Sequence, residues 1–391
     1  MSEFAVRVVR IGAPVVDHPN ADRLSLISIG GYTCIAAKSE DGSHRYREGD
    51  LVVYVPEGAV VPEYLLKREG FWSERDGKGA LAGSKGDRVK AKKLRDIFSQ
   101  GILLPVHLKL PGEGGPMLPG LVHYVLNQDG ERGFVSEGDD LAKTLGIKKW
   151  EPVIPASMAG EVVHVPGAAV KFDFESIQRV TDLFAEGEEV EATEKLHGTH
   201  FAFSYTPGLG HSDLFFGGDV ACWSKGLGSK DLVFRDNEAN DRNVYVRVLR
   251  KMLTDGLGSK LQDIARYLPN ASKYTVFGEI FGNGVQDLSY GQTEPVFRAF
   301  DFMADDVFFP PEAARALFNY LDIEEVPILY RGAFDLNILV KFRDGPDFTG
   351  SHIREGIVIR GVEDSAHHHG RKIGKWVSPA YLLRKNGTEF Q

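Results

Sequence analysis

Residues 194–203 read Glu-Lys-Leu-His-Gly-Thr-His-Phe-Ala-Phe. A β-branched run, EVEATEK (189–195), leads into this stretch, and a second apolar run, HFAFSY (200–205), leaves it. The stretch therefore reads as a turn joining two strands. A lysine between a strand end and a glycine can present its amine to a phosphate while the backbone passes close by. To act as a nucleophile, Lys195 must be neutral, a form favoured by nearby cations or desolvation. A Lys-x-x-Gly tetrapeptide alone is commonly a surface turn, so the reading depends on what accompanies it.

Four further features follow in order. Trp223-Ser224-Lys225-Gly226 again sets a basic residue before a glycine, and alone reads as an exposed turn. Phe277-Gly278-Glu279-Ile280-Phe281-Gly282 places one carboxylate in an otherwise apolar strand, where it is costly without a partner, metal or ligand. Phe297-Arg298-Ala299-Phe300-Asp301 offers an aromatic face to a base, or plain core packing; Arg354-Glu355-Gly356-Ile357-Val358-Ile359 opens another apolar strand with a carboxylate. Gly370–Ser378 carries Arg371, Lys372 and Lys375, cations that could equally decorate a solvated edge strand. Together these parts suit phosphoryl transfer: a lysine attacks an α-phosphate, cations neutralise its oxygens, and carboxylates hold a divalent metal. No GxxxxGK[ST] segment is present, so a P-loop enzyme is not supported.

In this order the motifs resemble the covalent nucleotidyltransferase superfamily of polynucleotide ligases and capping enzymes, and above all its ATP-dependent nick-sealing RNA ligases. EKLHGTHFAF is similar to their nucleophile motif EKxHGTNF, and YTVFGEIFGNGVQ, AFDF, EGIVI and the basic strand near Lys375 follow in the family's order. The intervals are 84 residues from Lys195 to Glu279, 76 to Glu355 and 20 to Lys375. The resemblance implies that Lys195 forms lysyl-AMP and that His197 and Gly198 shape the phosphate pocket. Lys225 would contact ribose or phosphate. Glu279 would bind ribose and assist a metal, Phe300 would stack on adenine, and Glu355 would bind the metal. Lys375 would contact the α-phosphate, and the backbone near Glu194 would read the adenine edge. The implied cofactors are ATP and Mg2+ or Mn2+. The implied partner is RNA, as a nicked duplex or an RNA–DNA hybrid. Two positions depart from the pattern. His200 stands where the family has asparagine, and Lys375-Trp376-Val377 replaces Lys-x-Lys. Lys372 is counted among the nucleotide-binding residues as the supplier of the missing charge. Strand alternation would turn it away from Lys375, which a bulge, at Gly374 for instance, could resolve.

The first hundred residues hold short β-branched runs punctuated by Gly, Asp-Gly and Pro turns, the pattern of a small barrel or sandwich. HPNADRL (18–24), followed by a Gly-Gly and a strand, resembles tRNA-binding OB modules, and SQGILLP (99–105) fits a late barrel strand. An N-terminal OB module before the transferase is the layout of the Deinococcus- and Naegleria-type RNA ligases. The expected fold class is α+β. An OB-fold β-barrel spans 1–110, a Gly/Pro-rich extension and linker 111–169, and an ATP-grasp-like adenylylation domain with antiparallel sheets 170–391. A short helix is expected around GDDLAKTLGI (138–147), and further helices over FESIQRVTDLF (174–184), VYVRVLRKML (244–253), SKLQDIARYL (259–268) and PEAARALFNYL (311–321). WEPVIPASMAGEVVHVPG (150–167), with three prolines, reads as linker.

The 391 residues carry 46 basic and 55 acidic side chains, a net charge of −9. This argues against coating nucleic acid by bulk positive charge. Locally, Lys85, Arg88, Lys90, Lys92, Lys93 and Arg95 stand against one acid, Asp87, with Phe71, Trp72 and Phe98 nearby. That composition suits a nucleic-acid strand and a salt-sensitive footprint. Two cysteines give no disulfide framework. Without a secretory leader or an apolar span, a cytoplasmic location is expected. The His367–His369 run reads as a solvated loop. Other readings are a DNA ligase, a GTP-using capping enzyme, or an OB-fold RNA-binding protein with a dead transferase domain.

Overall fold

The computed structural model describes residues 4–109, 122–363, 366–367, 370–385 and 387–388. PGEGGPMLPG (111–120), His368 and His369 lie outside these. The chain divides into two compact units. One comprises Ser2–Glu151 with Gln178–Thr181, the other Pro152–Ile177 with Asp182–Gln391.

In the first unit, strand Leu51–Val55 pairs antiparallel with Arg7–Arg10 on one side and Ile102–Pro105 on the other. Val16–His18, Ala21–Ile29 and Tyr32–Ala37 form a second antiparallel sheet. Side-chain alternation buries the central strand on both faces. Val52 packs with Ile11, Ile27, Cys34 and Leu103. Leu51, Val53 and Val55 pack with Val8, Leu65 and Leu104. The second core also takes Val125, Val135, Leu141, Leu145 and Ile147, so residues 122–149 are part of this unit's interior packing. No helix forms at 138–147. The Asp140 carboxylate accepts from the Val6 and Ala142 N–H groups at 2.9 and 3.0 Å. A single turn then closes from Leu145 N to Leu141 O. The aspartate offers the backbone an alternative to helix.

The second unit holds two antiparallel sheets. The four-stranded sheet runs Ile328–Ala333, Glu189–Lys195, Gly356–Gly361, Ile373–Val377. The five-stranded sheet runs Val220–Ser224, Thr199–Tyr205, Tyr274–Phe281, Val296–Ala304, Val307–Phe308. Three of the expected helices form, at Val244–Thr254, Leu257–Tyr267 and Pro311–Leu321. Asn243 caps the first by accepting from Tyr245 N and Val246 N. The helices cover one face of the five-stranded sheet through Phe201, Phe203, Val248, Leu261 and Phe318. Its other face, with Ala202, Trp223, Phe277 and Met303, meets Phe172 and Ile373.

Two expectations fail here for the same reason. The segment 174–184 buries Ile177, Leu183 and Phe184 but is not helical. Its backbone pairs with the last strand: Lys375 N donates to Glu175 O at 2.9 Å and Ile177 N to Lys375 O at 3.1 Å. The 150–167 segment is not a plain linker. Met158 enters the core, and Val162–His164 pairs with Leu232–Phe234. Asn240 and Asn243 satisfy its backbone at Glu161 N and Ala159 O. In both cases tertiary partners took the backbone groups that a local reading leaves unassigned.

Glu191 and Arg360, paired across the four-stranded sheet, are 0% and 4% exposed. Arg360 Nη2 lies 2.7 Å from Glu191 Oε1, while Nη1 donates to Phe300 O of the other sheet at 2.7 Å. Arg315 joins from its helix, 2.8 Å from Glu191. The cluster ties both sheets and a helix together. Removing one member of a buried ion pair costs roughly 3–5 kcal/mol. Glu191→Leu should therefore lower this unit's urea-unfolding free energy by about that amount; a loss near zero would show that the cluster does not hold the sheets.

Candidate functional site

Between the two sheets lies a cavity of about 310 Å³, within the size range of small-ligand sites. Strand alternation decides what faces it. Thr193, Lys195, Val358, Arg360, Ile373 and Lys375 line it from the four-stranded sheet, in register through Thr193↔Val358 and Val358↔Lys375. From the other sheet the cross-strand pair His200 and Glu279 lines it, with Phe300. Thr199 borders it only at the strand's start, its hydroxyl turned to Tyr245. Gly198 sits where a Cβ would come within 2.2 Å of Ile280 O, so the motif glycine lets the loop lie against the Glu279 strand.

Lys195 Nζ lies 2.6 Å from Glu355 Oε1. Burial opposes the lysine's charge, but Glu355 and Glu279 outweigh it and raise its pKa above the ordinary value. Burial pushes Glu279 up to about 8; Glu355 adds to the effect and Lys195 opposes it. Burial brings Lys375 down to about 8, helped by Lys225 and Lys195. Lys375 also stands 5.8 Å from the Phe174 ring centroid. Lys225 is exposed and pairs with Asp173 at 2.8 Å. Phe300 packs against Phe172, with ring centroids 5.3 Å apart. Glu194 borders the cavity, but its carboxylate accepts from Phe348 N and Arg354, and its own N–H donates to Pro327 O. Burial raises Glu194 to about 7. His197 borders the cavity as well, with both ring nitrogens engaged. His200 stacks on Phe172 at 5.6 Å, and neither ring nitrogen has a hydrogen-bond partner. Burial lowers it to about 3, so it is neutral.

Lys372 does not join this group. The pairing of Gly356–Gly361 with Ile373–Val377 runs without a bulge, and a Cβ at Gly374 would strike Ile177. Alternation therefore turns residue 372 away, and its ammonium pairs with Glu188 at 2.7 Å. In the other unit, Lys85, Lys90, Lys92, Lys93 and Arg95 are exposed. Arg88 departs from that set: it is half-buried, its guanidinium 3.3 Å from the Trp150 ring centroid.

Among the described residues, no three His, Cys, Asp or Glu side chains form a preassembled metal cage. Glu279 and Glu355 still fit a hard divalent cation of the magnesium type, which uses one or two carboxylates together with phosphate and water oxygens. Burial raises Glu279, and the Glu355 charge adds to the effect; a bound cation would relieve both.

The RNA ligase family model matches residues 188–377, the stretch that builds most of this cavity. This region belongs to the RNA ligase family. An OB-fold domain model matches residues 5–106. No curated protein sequence matches. Among solved structures, a Naegleria gruberi RNA ligase lysine-to-alanine mutant with ATP and Mn is similar at TM-score 0.70 and 20% identity, over 97% of this chain and 98% of that one. A lysine-to-methionine mutant with AMP and Mn gives 0.71 and 21%, over 97% and 98%. The same ligase with PPi gives 0.70 and 21%, again over 97% and 98%. The expected architecture, an OB-fold module followed by an RNA ligase domain of mainly antiparallel sheets, is thus present.

The motifs did not announce the Phe172-Asp173-Phe174 wall, nor Tyr381 and Asp287. Asp173 had a legible signal, as a lone carboxylate between two aromatics. If Lys375 is an anion contact, affinity for inorganic tripolyphosphate should fall as pH rises through about 8, where the lysine loses its proton. In Lys375→Arg, charged throughout, that fall should shrink to the part contributed by Glu279, which ionises over the same range. Titration calorimetry across pH 7–9 checks this, and equal slopes in both proteins would refute it.

Proposed function

We propose that the chain is an ATP-dependent RNA ligase that joins a 3′-hydroxyl to a 5′-phosphate through lysyl-AMP. What carries this reading is Lys195 in contact with Glu355, with Lys375 in the same cavity of an RNA ligase domain. In the first step Lys195 Nζ, after giving up a proton, attacks the α-phosphorus. An N–P bond forms, and the bond to the leaving pyrophosphate breaks. Glu355 is placed at 2.6 Å to accept that proton. Lys375 offsets the charge on the α-phosphate oxygens. Glu279 and Glu355 would hold a divalent cation, which would neutralise charge on the phosphates. Phe300 and Val358 line the cavity from opposite sheets and would flank the adenine. AMP then passes to the RNA 5′-phosphate, and the 3′-hydroxyl displaces it.

The proposed substrate is a nicked RNA duplex or RNA–DNA hybrid, and the role is RNA repair in the cytoplasm. The exposed Lys85, Lys90, Lys92, Lys93 and Arg95 would follow the strand. Two assays test the reading. Incubation with each α-labelled NTP and Mg2+ or Mn2+ should label the protein with ATP alone; a GTP adduct would point to capping chemistry. Nicked duplexes with ribose or deoxyribose on either side of the nick should be sealed only with ribose on the 3′-hydroxyl side. Equal sealing of all-DNA nicks would refute RNA ligation.

A further inference from the structure

His197 lies two residues beyond Lys195, and its surroundings specify where its proton sits. Nε2 is 2.8 Å from Asp287 Oδ1, and Nδ1 is 2.7 Å from the Tyr381 hydroxyl. Burial opposes ionisation of Asp287, but the hydroxyl and backbone N–H of Thr388, with His197 and Arg384, outweigh it and hold Asp287 at about 2. Asp287 is therefore ionised at neutral pH and only accepts. Burial lowers His197 despite the pull of Glu355 and Asp287, so the ring is neutral at neutral pH. Burial raises the Tyr381 phenol, which keeps its proton. Arg384 Nη2 also lies 3.3 Å from Nε2, but its N–H is directed to Asp287 Oδ1 at the shorter 3.0 Å. An unprotonated Nε2 would face the Asp287 carboxylate at 2.8 Å, lone pair to lone pair. The arrangement that avoids this has Nε2–H donating to Asp287 and the Tyr381 O–H donating to Nδ1.

The loop is gripped elsewhere by the same two segments. The His197 backbone N–H donates to the Tyr290 hydroxyl at 2.7 Å, and Gln286 Nε2 donates to Gly198 O at 2.9 Å. Arg384 Nη2 lies 3.0 Å from Asp287, and Thr388 closes onto the same carboxylate. Arg384, Asp287, Tyr381 and the more distant Glu355 are the charged or titratable groups acting on the imidazole.

We propose that Asp287 and Tyr381 are positioning residues that lock His197 in its Nε2–H tautomer, making it a fixed strut of the nucleophile loop and not a proton carrier. This rests on Lys195 being the nucleophile. With both nitrogens occupied, the imidazole has no free site with which to exchange a proton with substrate. Its ring instead fixes the direction in which the Lys195–Gly198 turn points. A misplacement of about 1 Å at such a position costs on the order of a hundredfold in rate.

The test is ¹⁵N-histidine NMR of the full chain, with the His197 signals identified by their loss in His197→Gln. At pH 7 the wild-type ring should show a protonated Nε2 and an unprotonated Nδ1. A proton on Nδ1, or on both nitrogens, would overturn the proposal whatever the activity. In Tyr381→Phe, the Nδ1 shift should move toward that of an unbonded nitrogen. Lysyl-AMP formation at saturating ATP should slow by roughly tenfold to a hundredfold in Tyr381→Phe and Asp287→Ala, with little change in the KM for ATP and partial rescue in Asp287→Glu. Wild-type rates in both variants would overturn it too. If the wild-type chain forms no adduct at all, the proposed function fails, while the tautomer result still decides this proposal.

Discussion

Lys195 and Glu355 meet at 2.6 Å although 160 residues separate them. The contact exists because strands Glu189–Lys195 and Gly356–Gly361 are neighbours, with Lys195 opposite Gly356. Each charge alone would be expensive in this cavity, and together they compensate. The compensation is incomplete. Burial, with a second carboxylate nearby, keeps Glu279 raised, and burial, with two other lysines nearby, keeps Lys375 lowered. A polyphosphate would restore Lys375, and a divalent cation would relieve the carboxylates. Titratable groups displaced in opposite directions within one cleft are typical of reactive sites.

The fold serves this contact. The buried Glu191–Arg360 pair extends to Phe300 O and so ties the two sheets together at the wall of the cavity, which Arg360 lines. The segment 171–177 lies across the last strand, placing Phe172 against Phe300 and Asp173 against Lys225. The loop after Tyr274–Phe281 and the segment 381–388 close on His197. Each support comes from a part of the chain distant from the residue it holds.

Much of the site was legible because its carriers alternate. Lys195, Glu279, Phe300, Glu355 and Lys375 sit on or beside strands whose apolar period is plain, and all line one cavity. Lys372, expected among the nucleotide contacts, is absent from that cavity because the bulge needed to bring it inward does not form. Segment 174–184 misled because its apolar spacing fits a helix and is silent about backbone pairing with Lys375. Asp287 and Tyr381 were invisible because they act on His197 through folding, from segments without a strong period. Arg88 could not be separated from its basic neighbours without knowing that Trp150 covers it. The net charge of −9 describes the whole chain and hides this local arrangement.

Three lysines share the cavity, and Lys195 is the one proposed to carry the nucleotide. Mapping tests that assignment most directly. The protein is incubated with α-labelled ATP and a divalent metal, digested under conditions that preserve a P–N bond, and sequenced by mass spectrometry. One AMP group is expected, on Lys195, and none in Lys195→Ala. A label on Lys225 or Lys375, or an undiminished adduct in Lys195→Ala, would contradict it.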